Sequence, residues 1–171
     1  YLTGDYMRKI LLIVTLLGLI VAISGCTFNS GDTNKTFSEN GVSFTYPGDW
    51  EVLNESAAES FGDNVDIMAV VGVEDEDVFV VGKAVIESDE YLRSPSEWLE
   101  YTKESIGSSY VSDKTFTVEG EEGALITAKD NNDYVYILFW HKDGEGYIAY
   151  YRTANESLDK FESIAKTIQI S

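Results

Sequence analysis

Three segments of this chain are apolar at both parities of the strand period. They are Val65–Val73 (VDIMAVVGV), Val78–Ile86 (VFVVGKAVI) and Tyr134–His141 (YVYILFWH). A strand in a sheet with one wet face alternates apolar and polar residues. These three do not, so the sheet that contains them needs cover on both faces. The cover available in the rest of the chain is helical.

The remaining elements follow from period and punctuation. Glu74-Asp75-Glu76-Asp77 joins the first two segments as a hairpin with an acidic tip. Val42–Tyr46 alternates as a half-buried strand, Pro47-Gly48-Asp49 turns the chain, and Trp50–Leu53 follows. Asn54–Asn64 reads as one helical turn and a loop. Thr115–Val118 and Ala124–Ala128 are strands around Glu119–Gly123. Tyr134–His141 and Tyr147–Thr153 form another hairpin through Lys142–Gly146. Two helices are well marked. Ser94-Pro95-Ser96-Glu97 is a capping box with proline at the first helical position. Trp98, Leu99, Thr102 and Ile106 then share one face, and Gly107 ends the run. In the last element Thr153 and Glu156 have the spacing of a second box, and Leu158, Phe161, Ile164, Ala165 and Ile168 form an apolar face. About seven strands in sequential hairpins with two helices define an α+β fold, an αβα sandwich with a central antiparallel sheet.

The first 26 residues carry a different signal. Met7-Arg8-Lys9 precede an uncharged run of 14 residues, Ile10 to Ile23. About 20 apolar residues are needed to span a bilayer core, so this run fits the apolar region of a secretory signal. Ser24 and Gly25 are small, as a signal peptidase subsite requires. Ile23-Ser24-Gly25-Cys26 resembles the lipobox of lipoprotein signals, in which the cysteine is alkylated with lipid and becomes the new N-terminus. Cys26 is thus the expected lipid attachment site. The organisation expected is residues 1–25 as upstream extension and signal peptide, 26–38 as lipidated cysteine and flexible tether, and 39–171 as the domain. The expected location is the outer side of a prokaryotic cytoplasmic membrane, in the cell envelope.

Charge narrows the partners. The chain has 30 acidic and 12 basic residues. Residues 1–25 hold Asp5, Arg8 and Lys9, which leaves 29 against 10, a net charge of −19. Such a surface repels phosphate backbones, so nucleic acid is excluded as a partner. It also repels anionic headgroups and stands off its own membrane. Cys26 is the sole cysteine, so the domain has no disulfide framework, thiol nucleophile or cysteine metal site.

Candidate sites are few. His141 is the single histidine and reads as a strand-end residue, without a partner acid or nucleophile at a defensible spacing. Glu74, Asp75, Glu76 and Asp77 offer hard oxygen ligands for a divalent cation, as do Asp130-Asn131-Asn132-Asp133. Neither matches the alternating ligands, central glycine and distal glutamate of an EF-hand, and both read as solvated hairpin tips. Seven aromatics between Tyr134 and Tyr151 could stack sugar rings or a partner, and read better as core. Asn34, Asn54 and Asn155 open glycosylation triplets. No cofactor motif is present.

Phe37 to Trp50 (FSENGVSFTYPGDW) resembles the opening of PsbP-like domains, in which a G-x-x-F-x-Y-P strand leads through a turn to a tryptophan. The order of elements from Phe37 to Ser171 fits as well. The resemblance implies an αβα sandwich around an antiparallel sheet. Its best-known members are lumenal subunits of photosystem II that help to retain its inorganic ions. No functional residue of that family maps onto this chain. The expected function is a lipid-anchored, extracytoplasmic, non-enzymatic binding or assembly domain, with the membrane and an envelope protein as partners. A divalent-cation-binding accessory domain and a hydrolase with a site invisible to motifs are the alternatives.

Overall fold

The computed structural model describes residues 33–85 and 94–171, and the side chains of all of these but 59–63. Cys26, the expected signal segment and Ile86 lie outside the described residues. The elements are β1 (Lys35–Glu39), β2 (Val42–Tyr46), β3 (Glu51–Val52), a 3-10 segment (Glu55–Asn64), β4 (Val65–Val73) and β5 (Asp77–Ala84). They continue with α1 (Pro95–Ile106), a 3-10 turn (Gly107–Ser109), β6 (Tyr110–Val118), β7 (Glu121–Asp130), β8 (Asp133–Lys142), β9 (Glu145–Thr153), α2 (Leu158–Ala165) and β10 (Gln169–Ile170).

The strands form two sheets. One has seven strands in the order β3-β4-β5-β9-β8-β7-β6, and the other has three in the order β1-β2-β10. Every pairing is antiparallel. Tight turns set the register. Asn40-Gly41, Glu119-Gly120 and Asp143-Gly144 each place two residues at positive φ, as a two-residue I′ hairpin turn requires. Lys142, Glu145 and Gly146, read from the sequence as loop, therefore belong to β8 and β9.

The doubly apolar strands are covered on both faces, as their composition demands. On one face Phe79, Val81, Tyr136, Leu138, Trp140 and Tyr151 pack against Phe161 and Ile164 of α2 and against Phe37 and Phe44 of the three-stranded sheet. On the other, Ala124, Ile126 and Phe139 receive Trp98 of α1. Val70, Val78 and Val80 beside them are capped by Ala58 of the 3-10 segment. Each fully buried Leu, Ile or Phe contributes on the order of 1.5–3 kcal/mol. The layers are helix, sheet, and then helix with a second small sheet. The small sheet is an addition to the sequence-based picture.

Two other expectations change. Residues 35–38, read as tether, are β1: Phe37 is buried, stacks on Phe44 at 5.4 Å, and Lys35 Nζ donates to the Trp50 carbonyl at 2.7 Å. One inward residue among four exposed ones leaves too little periodicity to show as a strand. The box at α1 forms as read, with the Ser94 and Glu97 groups bonded reciprocally. The box expected at α2 does not form. Thr153 is the last residue of β9 and is buried, and α2 has Ser157 as N-cap with no side-chain capping bond. The Ser157 N–H instead donates to the Tyr136 hydroxyl at 2.8 Å, so the sheet holds the start of this helix.

Candidate functional site

The acidic tip divides in two. Glu74, Asp75 and Glu76 are exposed on the turn, with Asp75 at φ 67°. Asp77 is not part of the tip. It opens β5 on the same parity as Phe79 and Val81, and so points along the buried face. There the Tyr151 hydroxyl donates to Asp77 Oδ1 at 3.0 Å and Lys160 Nζ donates to Oδ2 at 3.2 Å. The Lys160 ammonium also lies 5.5 Å from the Trp50 ring centroid, a cation–π distance. Tyr151 stacks on Tyr136 at 5.8 Å, and Trp50 packs on Tyr151 at 5.6 Å. Burial pushes the hydroxyls of Tyr136, Tyr150 and Tyr151 above the ordinary tyrosine range, Tyr151 most of all. The sequence reading missed this network. The parity of Asp77 with Phe79 and Val81 was the signal that could have shown it.

The other candidates lie apart from one another. His141, half-buried near the end of β8, meets the Phe139 ring edge-on at 4.9 Å. Of the seven aromatics, Tyr136, Phe139, Trp140, Tyr147 and Tyr151 are buried, which makes the group core. Asp130 and Asp133 flank the β7–β8 turn, and Arg152 Nε stands 4.0 Å from Asp133. Asn34, Asn54 and Asn155 are all exposed, and the Asn54 side chain caps the 3-10 segment by accepting from the Ser56 N–H. Among the described residues, no three of His, Cys, Asp and Glu are grouped as metal ligands. No described helix is long and apolar enough to cross a membrane.

Two further surface features bear on binding. The first is a cleft of about 450 Å³ between the β1–β2 turn and one end of the seven-stranded sheet. Asp66, Lys83 and Tyr147, adjacent in register across β4, β5 and β9, line it with Asn40, Gly41 and Met68. Lys83 is paired with Glu145 at 3.3 Å. Behind Tyr147 stacks Trp140, whose indole N–H is buried without an acceptor. The second is β6, the outer strand of the large sheet. Its charged side chains are drawn to the two faces. Asp113 accepts from Lys103 of α1 at 2.8 Å, and Lys114 pairs with Glu162 of α2. The Lys103 ammonium, then the Tyr110 hydroxyl, holds the Asp113 carboxyl below its usual range. What these features offer chemically is binding: a mixed-charge cleft and a sheet edge on an acidic molecule.

The architecture has solved counterparts. The solution structure of cyanobacterial PsbP (CyanoP) from Synechocystis sp. PCC 6803 matches at a TM-score of 0.53 and 14% identity, covering 87% of this chain and 99% of that one. A crystal structure from Bacteroides thetaiotaomicron VPI-5482 matches at a TM-score of 0.51 and 13% identity, covering 80% of this chain and 48% of that chain. No protein-family model matches the chain, and no curated protein matches it by sequence. At such identities the likeness defines a fold. That fold is PsbP-like, an α+β sandwich on a large antiparallel sheet.

Proposed function

We propose that this chain is a lipid-anchored, extracytoplasmic binding or assembly domain with no catalysis of its own. The observation that carries the reading is the joining of a PsbP-like fold to the lipobox-like Ile23-Ser24-Gly25-Cys26. A domain so tethered works by holding a partner near the membrane, and the partner expected is a protein of the envelope. The net charge of −19 left once residues 1–25 are removed (29 acidic against 10 basic) keeps the globule off anionic lipid, and so leaves its surface available to that partner. Two acyl chains hold firmly where one holds marginally, so a diacylated Cys26 resists a high-salt wash. The test is intact mass spectrometry of the membrane-bound protein beside its Cys26→Ser variant. A lipid-sized mass increment on Cys26, with release or non-processing of the variant, is the expected result. An unmodified N-terminus at another residue would sink the reading.

A further inference from the structure

Among the described residues, β6 is the outer strand at one margin of the large sheet. β6 runs nine residues from Tyr110 to Val118 and pairs only with β7 among the described strands. Natural proteins blunt such an edge with short strands, proline, bulges or charges that stand along it. Here the strand is long and has no proline. Its one register irregularity, between Tyr110 and Ser112, lies at the start and leaves Ser112 to Val118 in regular register. The two charges that could guard the edge are committed elsewhere. Asp113 is held by Lys103 on the α1 face and Lys114 by Glu162 on the α2 face. Tyr110 and Val111 are exposed beside them, 36% and 52% respectively. The opposite margin of the sheet is different: β3 covers Val71 and Gly72, the Leu53 N–H bonds the Val70 carbonyl, and the Asn40 side chain bonds the Met68 carbonyl.

We propose that β6 is the docking edge for an extended, basic segment of a partner protein, which adds as an eighth strand. Main-chain bonds supply the affinity in this mode, and alternate side chains supply the choice of partner. Charge selects the occupant. At a net charge of −18, a second copy of this chain is repelled from the edge and a lysine-rich segment is attracted to it. The inference rests on the binding-domain reading and names where that binding occurs.

Hydrogen exchange of the full chain tests it, with a blocked octapeptide of alternating lysine and valine as probe and its glutamate–valine counterpart as control. The lysine peptide is expected to slow exchange in Tyr110–Val118 by tenfold or more, with protection weakening as salt rises, while the control does nothing. Neighbouring residues of an edge strand direct their N–H groups to opposite sides. Of Lys114→Pro and Thr115→Pro, the variant that keeps the wild-type melting temperature has its N–H at the free edge, and it must lose the protection. No slowing in β6 overturns the proposal. So does β6 protection already present in a dimer of the free chain, which would assign the edge to a second copy. Protection confined to another segment overturns the edge while leaving the binding-domain reading in place.

Discussion

Removing the Trp98 side chain tests how the outer helix is held. Trp98 is the single buried residue of α1, and its ring stacks on Phe139 at 5.0 Å with an interplanar angle of 18°. Ala124 and Ile126 share its cluster, and Leu99 and Ile106 pack around it. An aromatic of this kind buries roughly 150–250 Å², which at about 25 cal/mol per Å² gives about 4–6 kcal/mol. Alanine keeps part of that contact and the helix settles partway into the gap. The expected loss for Trp98→Ala is therefore about 3–5 kcal/mol. The stacking geometry adds about 0.5–1.5 kcal/mol beyond the area term. Trp98→Phe keeps a ring over Phe139 and should lose about 1 kcal/mol, a partial truncation of a large buried side chain.

The assay is urea unfolding followed by circular dichroism, since Trp98 is one of three tryptophans and its loss alters fluorescence. A cycle of Trp98→Ala, Phe139→Leu and the double variant isolates the pair, with an expected coupling of about 0.5–1.5 kcal/mol. The slope of the transition separates two outcomes. An unchanged slope means that α1 stays docked around a smaller side chain. A reduced slope means that α1 leaves the sheet before the rest unfolds. A loss under about 1 kcal/mol for Trp98→Ala, or additive single variants, would refute the docking of α1 through this ring.

Other outcomes follow from the buried network and the tip. Asp77→Asn keeps an acceptor for the Tyr151 hydroxyl but uncharges the partner of Lys160, and should cost about 1 kcal/mol; Asp77→Ala orphans the hydroxyl and should cost about 2–3 kcal/mol, both read by denaturant unfolding. The folded-state pKa values of Tyr136 and Tyr151 are raised, so their contribution is complete below about pH 10 and is lost as pH rises through the folded values. Above about pH 10 the unfolded chain gives up protons that the fold retains, so stability should fall as pH rises, most through Tyr151; a flat alkaline profile would contradict this. Calorimetry at physiological ionic strength should find calcium binding no tighter than about millimolar at Glu74–Glu76, because calcium takes about 6–8 converging oxygens and the tip supplies three exposed carboxylates. A saturable micromolar site abolished by Asp75→Asn would overturn that expectation.

The parts of the fold legible in the sequence are those where one residue type reports on one environment. Val65–Val73 and Tyr134–His141 could be doubly apolar only in a sheet covered on both faces, and they are. Ser94-Pro95-Ser96-Glu97 specifies its box through local bonds alone, and it forms. What was illegible depends on residues distant in the chain. β1 is a strand because Phe37 meets Phe44 and Lys35 reaches the Trp50 carbonyl, and no local period announces either contact. The start of α2 is fixed by Tyr136, 21 residues upstream of Ser157, and so the local Thr153–Glu156 spacing misleads.

The tip shows how a shared motif hides two uses. Glu74-Asp75-Glu76-Asp77 is one run of charge in the sequence, and its function reading needs all four carboxylates on the same side. Strand geometry forbids that. Once β5 begins at Asp77, the parity that buries Phe79 and Val81 turns Asp77 toward the same face. A half-buried carboxylate left without donors would cost stability, and Tyr151 and Lys160 supply them. Those donors come from β9 and α2, so one aspartate ties a hairpin, a neighbouring strand and the last helix together. Recruiting Asp77 to a cation would break two of its bonds and expose Lys160 to an unpaired position over Trp50. The cation would have to repay that loss before binding at all, and three solvated carboxylates on a turn do not supply enough to do so.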